Sequence, residues 1–183
     1  MSNQGPPMDP NTEEATPEQI AAAKAQGAAY GAALELMADV VAETGGQREA
    51  GDYLVGYAFE EAEGMYEPVD GSLEWREPDD ENVHVEISVR DRGDGRFVPG
   101  LTVMATLIDP DGNQVGTHQQ PMLWHPMLYH YGRNWTVPGD GEYTLRVRIE
   151  PAPFMRHDKV NGRRFSEPVE CEFTGVQVET GQD

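Results

Sequence analysis

Residues 82–90 read NVHVEISVR, a stretch in which polar and apolar side chains alternate at every position. Successive side chains of a β-strand point to opposite faces of the sheet, so this pattern predicts a strand with one apolar and one polar face. Similar patterns occur in DYLVGYAFE (52–60), LTVMATLID (101–109) and YTLRVRIE (143–150). The period of the sequence after residue 50 is therefore that of β-structure.

Turn sequences separate these predicted strands. PDGN (110–113) is a strong hairpin turn, VPGDGEY (137–143) is another, and EGMYEPVDG (63–71) reads as a short extended piece with a turn. The chain ends on FSEPVECEFTGVQVE, a last strand. Roughly seven short strands with no helix between them predict an all-β fold, an immunoglobulin-like antiparallel β-sandwich.

The N-terminal part of the chain has a different composition. Residues 1–15 contain Gly, Pro, Asn and Glu with little to bury, and we expect a disordered tail. Residues 16–46 are alanine-rich and are predicted to form an N-terminal α-helix added to the sandwich. We therefore divide the chain into the tail at 1–15, the helix at 16–46 and the immunoglobulin-like domain at 50–180.

The helix has start and stop signals. Thr16 is placed to cap it, Pro17 suits the first helical position, Gln19 completes a capping box, and Gly45-Gly46 is expected to end it. A narrow stripe recurs at steps of three and four. This stripe packs either on its own domain, the commoner outcome, or against the same helix of a second chain in a homodimer. Its members are Ile20, Ala23, Gly27, Tyr30, Leu34, Met37 and Val41.

The charge of the chain excludes some partners. There are 33 Asp and Glu residues against 13 Lys and Arg, which gives a formal net charge of -20. Nucleic acid and anionic membrane surfaces both need a basic face, and this sequence does not supply one. Dense carboxylates are typical of acidic, halophilic proteins that stay soluble in concentrated salt. We find no export signal and no apolar stretch of the ~18 residues that span a membrane.

Residues 120–134, QPMLWHPMLYHYGRN, collect two histidines, two methionines and several aromatic residues. Imidazole nitrogen and thioether sulfur suit copper, zinc or iron, and neighbouring aromatic rings shield an ion from water. This composition predicts a metal site. A pair of buried aromatic strands with hydrogen-bonded histidines explains the stretch equally well.

Histidines elsewhere can contribute to such a site. His84 and Glu86 are two apart in a predicted strand and so share a face, although a polar outer face explains that pair as well. His130 and His157 come from two other parts of the chain. His118 reads as an exposed residue beside a hairpin, and His125 as an extra ligand or a residue that orients one.

The ordered series HVEISV, FVPGLTV, PM followed by HYG, RHDK and EPVECEF resembles the Fe(II) transport protein family, across roughly residues 52–178. Members are small periplasmic copper-binding proteins with an immunoglobulin-like fold that are associated with iron uptake. The resemblance implies that this chain binds a copper or iron ion in support of iron transport, without being necessarily an enzyme. The ligands implied by matching motifs are His84, Glu86, Met122, His130 and His157.

Three departures from the family pattern affect these expectations. The family's methionine-to-histidine spacing is one residue shorter than that from Met122 to His130, so either a bulge absorbs one residue or Met127 or His125 supplies the donor. Family members also carry an export signal and lack the N-terminal helix. The sequence without a signal indicates the cytoplasm, whereas the family is extracytoplasmic.

The implied partner is an iron-transport membrane permease. The rival functions are a redox enzyme for iron or copper and a metal-free structural or adhesion sandwich.

Overall fold

The computed structural model describes residues 8, 9, 11–40 and 44–183, with side chains from 38 to 40 excepted. None of the described helices is long and apolar enough to cross a membrane. The described residues form one helix and eleven strands: α1 (Pro17–Val40), β1 (Thr44–Ala50), β2 (Tyr53–Glu60), β3 (Met65–Val69), β4 (Ser72–Arg76), β5 (Val83–Asp91), β6 (Val103–Ile108), β7 (Gln114–Gln120), β8 (Met122–Trp124), β9 (Tyr129–Trp135), β10 (Gly141–Ile149) and β11 (Val169–Val178).

Two antiparallel sheets enclose the core. One has the strand order β1-β2-β5-β9-β8 and the other β11-β10-β6-β7, while β3 and β4 form a separate hairpin. The apolar positions of β5, such as Val85 and Ile87, are fully buried between the sheets, as are Leu107 and Leu145 of the facing sheet. The prediction of an all-β antiparallel sandwich with an N-terminal helix is confirmed.

Helix α1 lies on the outer face of the five-stranded sheet. The Tyr30 hydroxyl donates a hydrogen bond to the Tyr129 carbonyl oxygen, and the Tyr30 and Phe97 ring centroids are 5.6 Å apart. A Cβ atom at Gly27 would lie 1.8 Å from the Asp94 carbonyl oxygen, so only glycine permits this close approach. The helix therefore packs on its own domain and covers the polar side of β5.

The N-terminal end of α1 agrees with the sequence-based prediction, whereas its C-terminal end does not. The backbone N–H of Thr16 donates to Gln19 Oε1 at 2.8 Å and that of Gln19 to Thr16 Oγ1 at 3.3 Å, which is the predicted capping box. The predicted end at Gly45-Gly46 is wrong, because both glycines belong to β1. A Cβ at Gly46 would lie 2.9 Å from the Tyr57 ring. The glycine therefore makes room for this ring and does not end the helix. Val41, the last stripe residue, is outside the described residues.

Most of the predicted tail, residues 1–7 and 10, also lies outside the described residues. Its described part contacts the loop between β10 and β11. The Asp9 N–H donates to Asn161 Oδ1 at 2.7 Å, and Glu14 Oε2 lies 2.9 Å from His157 Nδ1. These polar contacts could not be expected from composition alone.

Two further stretches form strands, as the sequence predicted, and the structure shows how each strand is paired. The piece at 63–71 continues into a hairpin, since Asp70 and Gly71 adopt positive φ values of 47° and 87° and turn the chain into β4. The stretch 120–134 divides into β8 and β9, which pair across a short turn at 125–128. That division determines which side chains of the stretch reach the outer face of the sheet.

Candidate metal centre

Strand pairing brings two histidines and a glutamate together on the outer face of the five-stranded sheet. In the β5–β9 ladder His84 lies opposite Asn134 and Glu86 opposite Gly132. His130 precedes Gly132 by two residues and therefore shares its face. One ligand atom from each of His84, Glu86 and His130 lies within 4.8 Å of the others.

All three side chains are buried. His84 is 0% exposed, Glu86 5% and His130 4%, and the His130 Nε2 to Glu86 Oε1 distance is 3.0 Å. His84 Nε2 and His130 Nδ1 are buried without a hydrogen-bond partner, and the contact between His130 Nε2 and Glu86 does not have the geometry of a hydrogen bond. Buried polar atoms are normally paired, and each unpaired one costs about 1–3 kcal/mol. Nitrogens left in this state next to a carboxylate are the donors that a metal ion would satisfy.

Asn134 determines which ring nitrogen of His84 carries the proton and which keeps its lone pair. Asn134 Nδ2 donates to the Glu63 carbonyl oxygen at 2.8 Å, so its Oδ1 is the atom that faces His84 Nδ1, also at 2.8 Å. An amide oxygen only accepts hydrogen bonds, and His84 Nδ1 must therefore carry the proton. Nε2 then keeps its lone pair and faces the cluster.

Gly132 provides the space next to these donors. A Cβ atom at this position would lie 3.0 Å from His84 Nε2 and 3.2 Å from Leu123 Cδ1. Any other residue would fill the volume beside the free nitrogen. The HYG sequence thus combines a candidate ligand at His130, a core residue at Tyr131 and an opening at Gly132. The donor set and this opening fit a metal ion.

Electrostatics favour uncharged side chains while no ion is bound. Burial, followed by the charges of Glu60 and Glu63, raises the pKa of Glu86 to about 8. Burial also lowers the pKa of His130 to about 3, and it lowers that of His84. The 3.0 Å contact between His130 and Glu86 resembles an ion pair. Both pKa shifts, however, oppose charge separation, so the buried pair is neutral near pH 7.

The structure does not place Met122 with this cluster. In the β8–β9 ladder Met122 lies opposite Tyr131 and Leu123 opposite His130, with no register shift. Directly opposed residues share a face, so Leu123 and not Met122 lies on the His130 side. Leu123 is also the residue one position closer to His130, where the family spacing expects methionine. The β8–β9 pair therefore lacks the bulge that would place Met122 on the same face as His130.

The other predicted or alternative histidines are not members of this group of three. The side chain of His157 is 96% exposed, and its Nδ1 contacts Glu14 at 2.9 Å. His125 Nδ1 accepts a hydrogen bond from the backbone N–H of Met127 at 3.2 Å, in the turn after β8. His118 is on β7, in the opposite sheet. Of the five implied ligands, the structure brings together His84, Glu86 and His130.

Three residues around the cluster were missed by sequence reasoning. Glu60 is the cross-strand partner of His84, and one carboxylate oxygen each from Glu60, Glu63 and Glu86 lies within 4.8 Å of the others. Asn134 orients His84 from the next strand. The sequence shows these residues, but only the pairing register of β2, β5 and β9 places them together.

We expect Asn134→Leu to lower the affinity for Cu(II) by about 10- to 100-fold, the usual effect of removing a residue that orients a ligand. The reason is that His84 Nδ1 loses its acceptor, and the ring can then rotate or protonate Nε2. Isothermal titration measures the affinity, and ¹⁵N chemical shifts of the imidazole report the tautomer. Asn134→Asp keeps an acceptor oxygen and serves as the control. Equal affinity of Asn134→Leu and the unsubstituted protein would contradict the assignment.

Comparisons with known proteins agree with this architecture. The family model described as Fe2+ transport protein matches residues 42–178. FetP from a uropathogenic E. coli strain is 19% identical, with a TM-score of 0.57 over 75% of this chain and 98% of that chain. The copper-reconstituted P19 protein from Campylobacter jejuni is 17% identical, with a TM-score of 0.62 over 75% of this chain and 96% of that chain. No curated protein matches the chain. At these identities the structural likeness establishes a shared fold.

Proposed function

The chain belongs to the Fe2+ transport protein family, and from this premise we propose that it binds a copper or iron ion in support of iron transport. The observation that carries the proposal is the buried group of His84, Glu86 and His130, in which His84 Nε2 and the His130 ring nitrogens lack hydrogen-bond partners. A metal-free structural sandwich gains nothing from such a group, since each unpaired buried nitrogen destabilises the fold. The copper in the structure of the Campylobacter P19 protein is consistent with an ion in this fold.

The donor set affects which ions the site accepts. Two imidazoles and one carboxylate with open positions are typical of Fe(II) sites, and imidazole also suits Cu(II). A soft thioether, which would favour Cu(I), is not contributed by Met122 because that residue is on the other face of β8. We propose that the site holds Fe(II) or Cu(II) in preference to Cu(I).

A redox enzyme that changes the oxidation state of iron or copper is the second candidate. The observation in its favour is a cavity of about 490 Å³ that reaches Glu86 and His130 beneath α1, where Leu34 and Met37 line it. Three protein donors and an adjoining cavity leave coordination positions for a second reactant. A binding protein needs only the donors, and we place the enzyme second for that reason.

The partner we propose is an iron-transport membrane permease that receives or delivers the ion outside the cytoplasm, in keeping with the family. The opening for this exchange would be the same cavity, since Glu86 and His130 both line it. We also propose that the chain forms a homodimer. Analytical ultracentrifugation with and without the ion would measure the oligomeric state.

Metal analysis of the purified protein, prepared without a metal-binding tag, tests the function. We expect saturable binding of Cu(II) or Fe(II) at the imidazole site, with nitrogen hyperfine coupling in the Cu(II) EPR spectrum. Catalytic reduction of ferric or cupric ions in the presence of a reductant would favour the enzyme. Absence of saturable metal binding would instead favour a metal-free structural or adhesion sandwich.

A further inference from the structure

A cavity of about 490 Å³ lies between α1 and the outer face of the five-stranded sheet. This volume is within the range of small-molecule sites in proteins. Gly56 and Ala58 of β2 line the side formed by the sheet, and Leu34 and Met37 line the side formed by the helix. A Cβ atom at Gly56 would lie 2.6 Å from Ser88 Oγ, so an ordinary side chain here would fill space that the glycine leaves open.

Three polar side chains of β5 follow the cavity from one end to the other. Glu86, Ser88 and Arg90 are each two residues apart, so they share the outer face of the strand, and all three line the cavity. At the usual rise of a strand, the Cα atoms of Glu86 and Arg90 are ~13 Å apart. His130 lines the cavity as well. One end of the cavity is therefore the candidate metal centre, and the other is a guanidinium group.

The hydrogen bonds of the Arg90 guanidinium are only partly made. Its Nη2 donates to Gln47 Oε1 at 2.6 Å, whereas its Nε is buried without a hydrogen-bond partner. The N–H groups of Nε and Nη2 point in the same direction from one edge of the guanidinium, which is the edge that binds the two oxygens of a carboxylate. The single oxygen of Gln47 satisfies half of this edge. Gln47 is exposed, so its side chain is free to move aside for a ligand.

The charge of Arg90 also lacks a direct counter-ion. Arg90 belongs to none of the ion pairs formed by the residues that the structure describes, although Glu35 of α1 lines the same cavity. At Arg164, by contrast, Nη2 lies 2.5 Å from Asp91 Oδ1. Burial lowers the pKa of Arg90, because it disfavours the charged form. A bound anion would offset this unfavourable effect of burial.

We propose that the cavity binds a small organic di- or tricarboxylate, with one carboxylate on the Nε–Nη2 edge of Arg90 and the remainder along Ser88 toward Glu86 and His130. An acid with more than one carboxylate suits both ends of the cavity, because carboxylate oxygens are also ligands of Fe(II). The contact with the ion rests on the proposed function, whereas the contact with Arg90 does not. The protein would thus hold its ion as a complex with the acid.

Isothermal titration of the full-length, metal-free protein with citrate tests the cavity. We expect saturation at one citrate per chain, and the formal net charge of -20 disfavours diffuse binding of such an anion. Arg90→Gln should weaken citrate by about tenfold or more, and Arg90→Lys should also weaken it because an ammonium group cannot bind both oxygens in parallel. Both variants should keep the Cu(II) affinity of the unsubstituted protein, which shows that they are folded.

Arg133→Gln is the matched control. It changes the net charge by the same amount, and Arg133 is exposed and does not line the cavity. Unsaturable binding of citrate, or an equal effect of Arg133→Gln and Arg90→Gln, would overturn the proposal. Sulfate that binds as tightly as citrate would show an unselective anion site and would also overturn it. A protein that binds Cu(II) but not citrate refutes only this inference, whereas failure to bind any metal ion would refute the proposed function.

Discussion

Replacing His130 by alanine is expected to lower the affinity for Cu(II) at about pH 7 by roughly 100-fold or more. Four-ligand metal sites contribute ~10–16 kcal/mol, so one ligand contributes about 3 kcal/mol on average. His130 is 4% exposed and is one of the three residues whose ligand atoms lie within 4.8 Å of one another. Competition titration with a chelator of known affinity measures the change, and His84→Ala should have an effect of similar size.

Two other histidines provide controls for this result. His118→Ala removes an imidazole from the opposite sheet and should leave the affinity unchanged. His157→Ala tests the ligand that the family resemblance implies but the structure places at Glu14, on the surface. If His157→Ala weakens Cu(II) as strongly as His130→Ala does, the loop carrying His157 or a second chain must complete the site. If His130→Ala has no effect, the cluster is not the copper site.

The sequence was sufficient for the parts of the fold that depend on local periodicity. Alternation in 82–90 identified β5 and also placed His84 and Glu86 on one face, as the structure confirms. The capping box at Thr16 and Gln19 was likewise a local signal. β1 was missed because its residues are mostly polar or glycine, and it is held by its pairing with β2 and not by a buried apolar face.

The candidate site depended on register, which a single sequence does not specify. The family spacing raised the question of which residue stands opposite His130, and only the β8–β9 ladder identifies Leu123. The same is true of Glu60, which reaches the cluster because it is paired with His84. A shift of one residue would send each of these side chains to the other face. Pairing of distant strands therefore determined which candidate ligands lie together, beyond what residue types could indicate.

The affinity for Cu(II) is expected to fall by about 100-fold between pH 7 and pH 5, with one proton released for each ion bound. Unperturbed histidines, with pKa values of ~6.5, would release more than one proton over this range. Burial instead lowers the pKa of His130 to about 3 and also lowers that of His84, so both rings stay neutral at pH 5. Glu86, whose pKa is raised to about 8, is protonated below that pH and must release its proton to solvent before it can bind the ion. Each unit of pH therefore changes the affinity about tenfold.

Cu(II) titrations at pH 7, 6 and 5 in high salt test this dependence of the affinity on pH, with Glu86→Gln as the matched variant. Glutamine cannot release a proton, so the variant should bind more weakly at pH 7 but keep the same affinity down to pH 5. The chain's 33 acidic residues supply the competing explanation. Loose binding to surface carboxylates would persist to ~pH 4–5, would not saturate and would fade with salt. A slope of two or more protons per ion would mean that the histidines titrate in this range, and would show that the buried neutral pair of His130 and Glu86 does not exist in solution.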